Sequence, residues 1–340
     1  LREQNIEDTW TRNEEPVTDD RIPYSELATP EAVRNARESD DALDAFLDYV
    51  KHDSPADVAA VREAYEEILI GPWLDRLLVE FPVTTETVTL GGVAVDVVVP
   101  SGGVRPRNEG RVLINLHGGG YGLGGRKTRL QESVSIAGHG GFKVVSVDYR
   151  MAPEHLFPAA SDDVAAVYRA LLEDYRPGDI GIYGCSAGGV LTHQAVAWFG
   201  AHDIPRPAAI ASVNAGGLPW LWGDSRRTAA YLAGREFVDG GGIPYLAESD
   251  LRGPLVSPAF HPDVLRDFPP TLIISGTRDN LLSTAVYSHA QLVKAGVVAD
   301  LHVWETAVHC SISHGVVDPT VPETREAWDV MVRFFDRHLA

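Results

Sequence analysis

The sequence predicts an α/β fold: an eight-stranded, mostly parallel sheet flanked by helices, with a helical cap on the N-terminal side. Three observations carry this. From residue 83 onward, short apolar segments alternate with helical patterns, as strands buried on both faces do. The first two segments are joined through Gly91-Gly92, a hairpin signal that makes the second strand antiparallel. Before residue 83 the apolar period is helical, and no internal repeat is visible anywhere.

Residues 1–28 show no clean period. Thr29-Pro30 and Ser54-Pro55 then each open a helix, because a hydroxyl can cap the end and proline suits the first turn. Ala36, Leu43, Phe46, Leu47 and Val50 form the stripe of the first helix. Val58, Val61, Tyr65, Ile68 and Leu69 form that of the second, which Gly71-Pro72 is expected to end. Strands follow at 85–90, 93–99, 112–116, 143–147, 179–183, 209–213, 272–275 and 301–304. Residues 216–258 break this rhythm with Pro, Gly, Trp and Arg and read as an insert near the site; Gly240-Gly241-Gly242 within them reads as a loop. The expected division is 1–80, a helical cap region, and 81–340, the sheet domain.

At 340 residues the chain can bury a large core, and 44% hydrophobic with 23% charged residues is the balance of a globular protein. The net charge is −19, and residues 1–80 hold 21 acidic against 8 basic side chains. Nucleic acid and anionic membranes are therefore poor partners. No apolar run approaches the length of a membrane span. The start Leu1-Arg2-Glu3-Gln4 does not read as a secretory leader, and a cytoplasmic location is expected, with a trimmed leader as the alternative. Two cysteines, Cys185 and Cys310, cannot build a disulfide framework or a zinc site.

Chemistry concentrates at the carboxyl ends of the strands, where open α/β sheets bind ligands. Gly184-Cys185-Ser186-Ala187-Gly188 places a serine between glycines at a strand-to-helix turn, the pattern of a nucleophile elbow. The helix that follows aims its first N–H groups at that hydroxyl. His117-Gly118-Gly119-Gly120-Tyr121 ends the third strand, and its glycines can turn backbone amides toward a reacting oxygen. Gly118, Gly119 and Ala187 are the candidate oxyanion donors, with His117 and Gly120 in support. Asp279 ends the seventh strand and can orient a histidine; His309 follows the eighth, with His314 as the rival base. The order Ser186, Asp279, His309 is that of the α/β-hydrolase fold.

The runs HGGGYGLG (117–124), DYRMAPEHLFPA (148–159), GCSAGG (184–189), GTRDNLL (276–282) and WETAVH (304–309) together resemble the hormone-sensitive-lipase family of carboxylesterases. That resemblance spans about residues 85–335. It implies an N-terminal cap over an α/β-hydrolase catalytic domain, serine-ester hydrolysis and no cofactor or metal. It makes Ser186 the nucleophile, His309 the base and Asp279 its partner, with Glu154 either a hydrogen-bonding buttress or a merely structural residue. One departure stands out: the residue before the serine is commonly Asp or Thr in this family and is Cys185 here, which leaves substrate preference open. Because Cys185 adjoins Ser186 and Cys310 adjoins His309, the two thiols are expected to be neighbours behind the site as a small apolar pair; two unrelated buried thiols and a regulatory disulfide are the alternatives.

The cap and the insert are expected to wall an apolar pocket, with Tyr121, Trp198, Trp220 and Trp222 as linings. The substrate implied is a small-molecule ester of short-to-medium acyl chain. Lactone hydrolysis with the same triad and a non-catalytic small-molecule receptor on the same fold are the alternatives. A homodimer through the last strand and final helix is compatible with the resemblance, although Val330, Phe334 and Phe335 equally read as the sheet-facing side of that helix.

Overall fold

The computed structural model describes residues 21–52, 57–237, 242–313 and 317–340. Residues 1–20, Ser54-Pro55, Gly240-Gly241 and His314, all singled out in the sequence, lie outside the described residues.

Eight strands form one sheet in the order β1-β2-β4-β3-β5-β6-β7-β8. They are β1 (Val83–Leu90), β2 (Val93–Pro100), β3 (Val112–Leu116), β4 (Val144–Val147), β5 (Ile180–Cys185), β6 (Ala209–Val213), β7 (Thr271–Arg278) and β8 (Ala299–Val308). β2 pairs antiparallel with β1 and β4, and the remaining pairs are parallel. The fold is thus the one the sequence predicts. β3 to β6 are buried along their whole length, so helices must cover both faces.

One face carries α4 (Arg126–Gly140) and α10 (Pro322–His338); the other carries α5 (Ala159–Leu171), α6 (Ala187–Ala201) and α9 (Leu282–Lys294). Val330 packs only partly against the core, while Phe334 and Phe335 are buried in it, so α10 turns those two rings to the sheet. Among the described residues no helix is long and apolar enough to cross a membrane.

The N-terminal helices are α1 (Pro30–His52), α2 (Val58–Tyr65) and α3 (Gly71–Glu80). Thr29 caps α1 as expected, its hydroxyl accepting from the Ala32 N–H at 3.1 Å. Phe46 is buried and meets Tyr65 edge-on at 5.4 Å, but Leu47 and Val50 are exposed, so the apolar stripe of α1 is narrower than its sequence suggests. α2 is capped by Asp57, whose carboxylate accepts from the Ala59 N–H. Gly71-Pro72 does not end this helix. A π-helical turn, Glu66–Ile70, carries the chain into α3, with Gly71 in helical geometry and Pro72 in the first turn. Proline is tolerated in the first turn of a helix. Leu74 and Leu77 of α3 then join the core formed by β3, β4, α4 and α10.

The insert contributes α7 (Ser225–Leu232), and α8 (Pro262–Leu265) follows it.

Candidate active site

β5 delivers Ser186 to a sharp turn. Its backbone lies at φ 54°, ψ −121°, a conformation that costs a non-glycine residue about 1–3 kcal/mol. The N–H donates to Val213 O at 2.9 Å, and α6 starts at the next residue, so the strained turn is held from both sides. The flanking glycines are required by close approach. A Cβ on Gly188 would lie 1.8 Å from Leu116 O, and one on Gly184 2.3 Å from the same atom.

His309 follows β8, and its Nε2 lies 2.9 Å from Ser186 Oγ. Its Nδ1 lies 2.7 Å from Asp279 Oδ1, at the end of β7. Burial raises the Asp279 carboxyl, but the facing His309, the Ser275 hydroxyl and the Leu281 N–H outweigh it and hold the group below its usual range. Asp279 is therefore an acceptor only, which puts the imidazole proton on Nδ1 and leaves Nε2 to accept from the serine hydroxyl. Ser275 Oγ donates to Asp279 Oδ2 at 2.6 Å and the Leu281 N–H to Oδ1 at 2.9 Å, fixing the carboxylate plane.

The loop after β3 corrects one expectation. The Gly118 N–H donates to Glu132 Oε1 at 2.9 Å, so it is not free to meet an oxyanion. Glu132 is buried on α4 and its second oxygen accepts from Asn115 Nδ2 at 2.9 Å. The next two amides are placed differently. In a trans peptide the C=O and the following N–H point in opposite directions. Gly118 O faces the His117 ring (Nδ1 at 2.7 Å), and Gly119 O accepts from the Gly122 and Leu123 N–H groups at 3.1 and 2.7 Å. The N–H groups of Gly119 and Gly120 therefore point out of the loop. Gly119 sits at φ +111°, where a Cβ would collide with Leu123 O. The His117 ring stacks on Tyr149 at 4.3 Å, and the Tyr149 hydroxyl donates to His117 O at 2.6 Å.

The aromatic candidates divide. Tyr121 is fully buried, its hydroxyl donating to Gln194 Oε1 at 2.9 Å and its ring stacked on Tyr245 at 4.6 Å, so it is core under the loop rather than a wall. Trp220 stacks on Tyr121 at 5.9 Å and reaches to 3.9 Å from where a Gly120 Cβ would stand, which places it against the loop. Trp198 lies eleven residues into α6, about 17 Å along its axis from the start. It packs on Phe157 and His202, away from the serine end. Trp222 faces Phe260 at 5.5 Å and the Arg252 guanidinium at 4.7 Å.

Glu154 does not reach the site. It is exposed and pairs with Arg62 of α2 through two 2.8 Å bonds, which draw its carboxyl down to about 2. Cys185 and Cys310 are buried free thiols in the same apolar cluster. Burial, then a hydrogen bond with Cys185, pushes the Cys310 thiol up, so the expected neighbour relation holds.

Glu132, Ser275, Arg62 and Glu66 contact the triad or the loop after β3, and no motif in the sequence marks them. Arg62 and Glu66 are spaced i, i+4 with opposite charge, which reads as an ordinary helix-surface pair. Both instead reach the loop after β3.

The chain matches a family described as the alpha/beta hydrolase fold over residues 113–313. It is 33% identical over 257 residues to an acetyl-hydrolase of Streptomyces hygroscopicus, covering 73% of this chain and 81% of that one. It is 31% identical over 240 residues to the esterase LipI of Mycobacterium tuberculosis, covering 66% of this chain and 73% of that one. Among solved structures, an esterase from the bacterial hormone-sensitive lipase family superposes with a TM-score of 0.76 at 28% identity, covering 92% of this chain and 99% of that one.

Proposed function

Since this chain belongs to the hormone-sensitive-lipase family of α/β-hydrolases and is a carboxylic-ester hydrolase, we propose that it cleaves short-to-medium-chain esters through a covalent acyl-serine. The observation that carries the reading is the continuous hydrogen-bonded line from Ser186 through His309 to Asp279 on a strained elbow.

His309 takes the Ser186 proton as Oγ attacks the ester carbonyl, and Asp279 stabilises the imidazolium that forms. The negative oxygen of the tetrahedral intermediate is held by the N–H groups of Gly119, Gly120 and Ala187. Ala187 is the first residue of α6, where backbone donors lack a helical acceptor. One such donor is worth about 3 kcal/mol of transition-state stabilisation. His309 returns the proton to the departing alcohol; a water molecule then repeats the sequence on the acyl-serine and frees the acid. Arg62 of α2 and Trp220 both reach the loop that carries these donors. Trp220, against the loop beside Gly120, is an aromatic side chain near the oxyanion donors, which supports a small acyl group. The relative named acetyl-hydrolase agrees with that size.

The test is hydrolysis of p-nitrophenyl esters from acetate to palmitate by wild type and Ser186→Ala. The expected result is a peak at short chains and a loss on the order of 10⁶-fold in kcat in the variant. Activity surviving in Ser186→Ala removes the mechanism. A wild type inert on every chain length moves lactones to the front.

A further inference from the structure

Arg62 lies on α2, 60 residues from the loop it touches. Its Nε donates to Gly122 O at 2.9 Å, one terminal nitrogen donates to Ala152 O at 2.8 Å, and both terminal nitrogens pair with Glu154. The peptide group that Arg62 grips, Gly122 C=O with Leu123 N–H, donates at its other end to Gly119 O at 2.7 Å. The peptide that accepts there, Gly119 C=O with Gly120 N–H, ends in a proposed oxyanion donor. A cation, two aligned peptide dipoles and the donor thus stand in one line. Each dipole in such a chain polarises the next.

The surroundings keep this line in register. The Leu123 side chain packs against the small core of Phe46, Tyr65, Leu69 and Ile70. One turn beyond Arg62, Glu66 accepts from the N–H groups of Gly125, Lys127 and Thr128 at 2.9, 2.6 and 2.9 Å and so fixes the far end of the loop. Glu132 fixes the near end at Gly118. Between these anchors, Arg62 is the charged group on the turn itself.

Building on the acyl-serine reading, we propose that Arg62 is a positioning residue of the reaction: through the Gly122–Leu123 and Gly119–Gly120 peptides it orients and polarises the Gly120 N–H toward the oxyanion. It makes the N-terminal helices part of the catalytic apparatus through a contact with the loop backbone. Its effect belongs to the transition state, because a ground-state ester carbonyl carries little of the charge that the donor meets.

The experiment uses the full chain as wild type, Arg62→Ala, Arg62→Lys, Glu154→Gln and Ser186→Ala. Working sites are counted by the p-nitrophenol burst, kcat per working site and KM are measured on p-nitrophenyl acetate, and inhibition is measured with an alkyl trifluoromethyl ketone, which forms a tetrahedral oxyanion on serine. Arg62→Ala is expected to lower kcat per site roughly tenfold to a hundredfold. KM should stay within about twofold, and the ketone should weaken in step with kcat/KM. Arg62→Lys, which keeps the charge but not the fork, should recover part of the loss. Glu154→Gln leaves the carbonyl contacts in place and should stay within about threefold of wild type. Unchanged kcat per site in Arg62→Ala, or a loss confined to the number of working sites, overturns the proposal. If Arg62→Ala does not fold, an Arg62→Lys enzyme with wild-type kcat per site and wild-type ketone affinity overturns it equally. Failure of the underlying reading is separate: Ser186→Ala would then retain activity, or the wild type would show neither burst nor ketone inhibition.

Discussion

Buried ionisable side chains in this molecule split into those held charged and those held neutral. Asp279 stays an anion because three donors face it. His193, inside α6, is the opposite case. Burial alone pushes its imidazole down to about 3; its near contacts are the Phe268 ring at 6.0 Å and the Ser212 hydroxyl at 3.5 Å. Unfolded, the ring binds a proton below a pH of about 6.5. Folded, it remains neutral down to about 3, so between these values the unfolded chain holds the extra proton. Stability therefore falls as pH drops through that window, by about 1.4 kcal/mol per pH unit from this one group. Urea midpoints from pH 7 to pH 4 should fall less steeply for His193→Gln than for wild type, and parallel slopes would contradict the assignment.

The N-terminal helices show how an element's sequence can mislead while its packing does not. Gly71-Pro72 carries the signature of a helix end, yet the π turn before it and α3 after it are one continuous helical path. Replacing Pro72 with alanine is accordingly expected to lower stability by less than about 1 kcal/mol, through the freer unfolded chain alone. A gain of about 3 kcal/mol, measured by thermal or urea unfolding, would mean the proline does break the helix. Strands were more legible than helix ends, because a buried strand advertises itself as an unbroken apolar run; β6 occupies the span its sequence marks. β8 extends past its apolar centre on both sides because it is an edge strand, paired only with β7 and free to carry polar residues outward. Ser186, Asp279 and His309 were readable because each sits in a contiguous motif with the chemistry in its own side chain. The oxyanion loop is harder to read from sequence: whether the Gly118 amide is free depends on Glu132, fourteen positions away. Arg62 and Glu66 act on backbone atoms some 60 residues distant, and a backbone acceptor leaves no mark in a sequence.

At the scale of the whole molecule, the cap and the sheet share structure across residue 80. Leu74 and Leu77 lie in the core with Val134, Val144 and Trp328. On the opposite flank, Arg278, next to Asp279, donates to Ile22 O and Pro23 O at 2.9 and 2.6 Å and lies over the Tyr24 ring at 4.1 Å. Arg235 joins the insert to Asp40 and Asp44 of α1. These ties fasten the described N-terminal residues to the sheet on two flanks. The sheet order also has a consequence in time. Ser186 and His309 are 123 residues apart, and they meet only after β6, β7 and β8 have been laid in sequence beside β5, each parallel pairing closing a long loop. Hydrolytic competence then requires all four strands from β5 to β8 to be in place. On dilution from denaturant, far-ultraviolet ellipticity should recover before esterase activity, and simultaneous recovery would place the docking of β8 before the rate-limiting step. Activity reports on the β8 edge in particular, whereas ellipticity sums over every helix and strand.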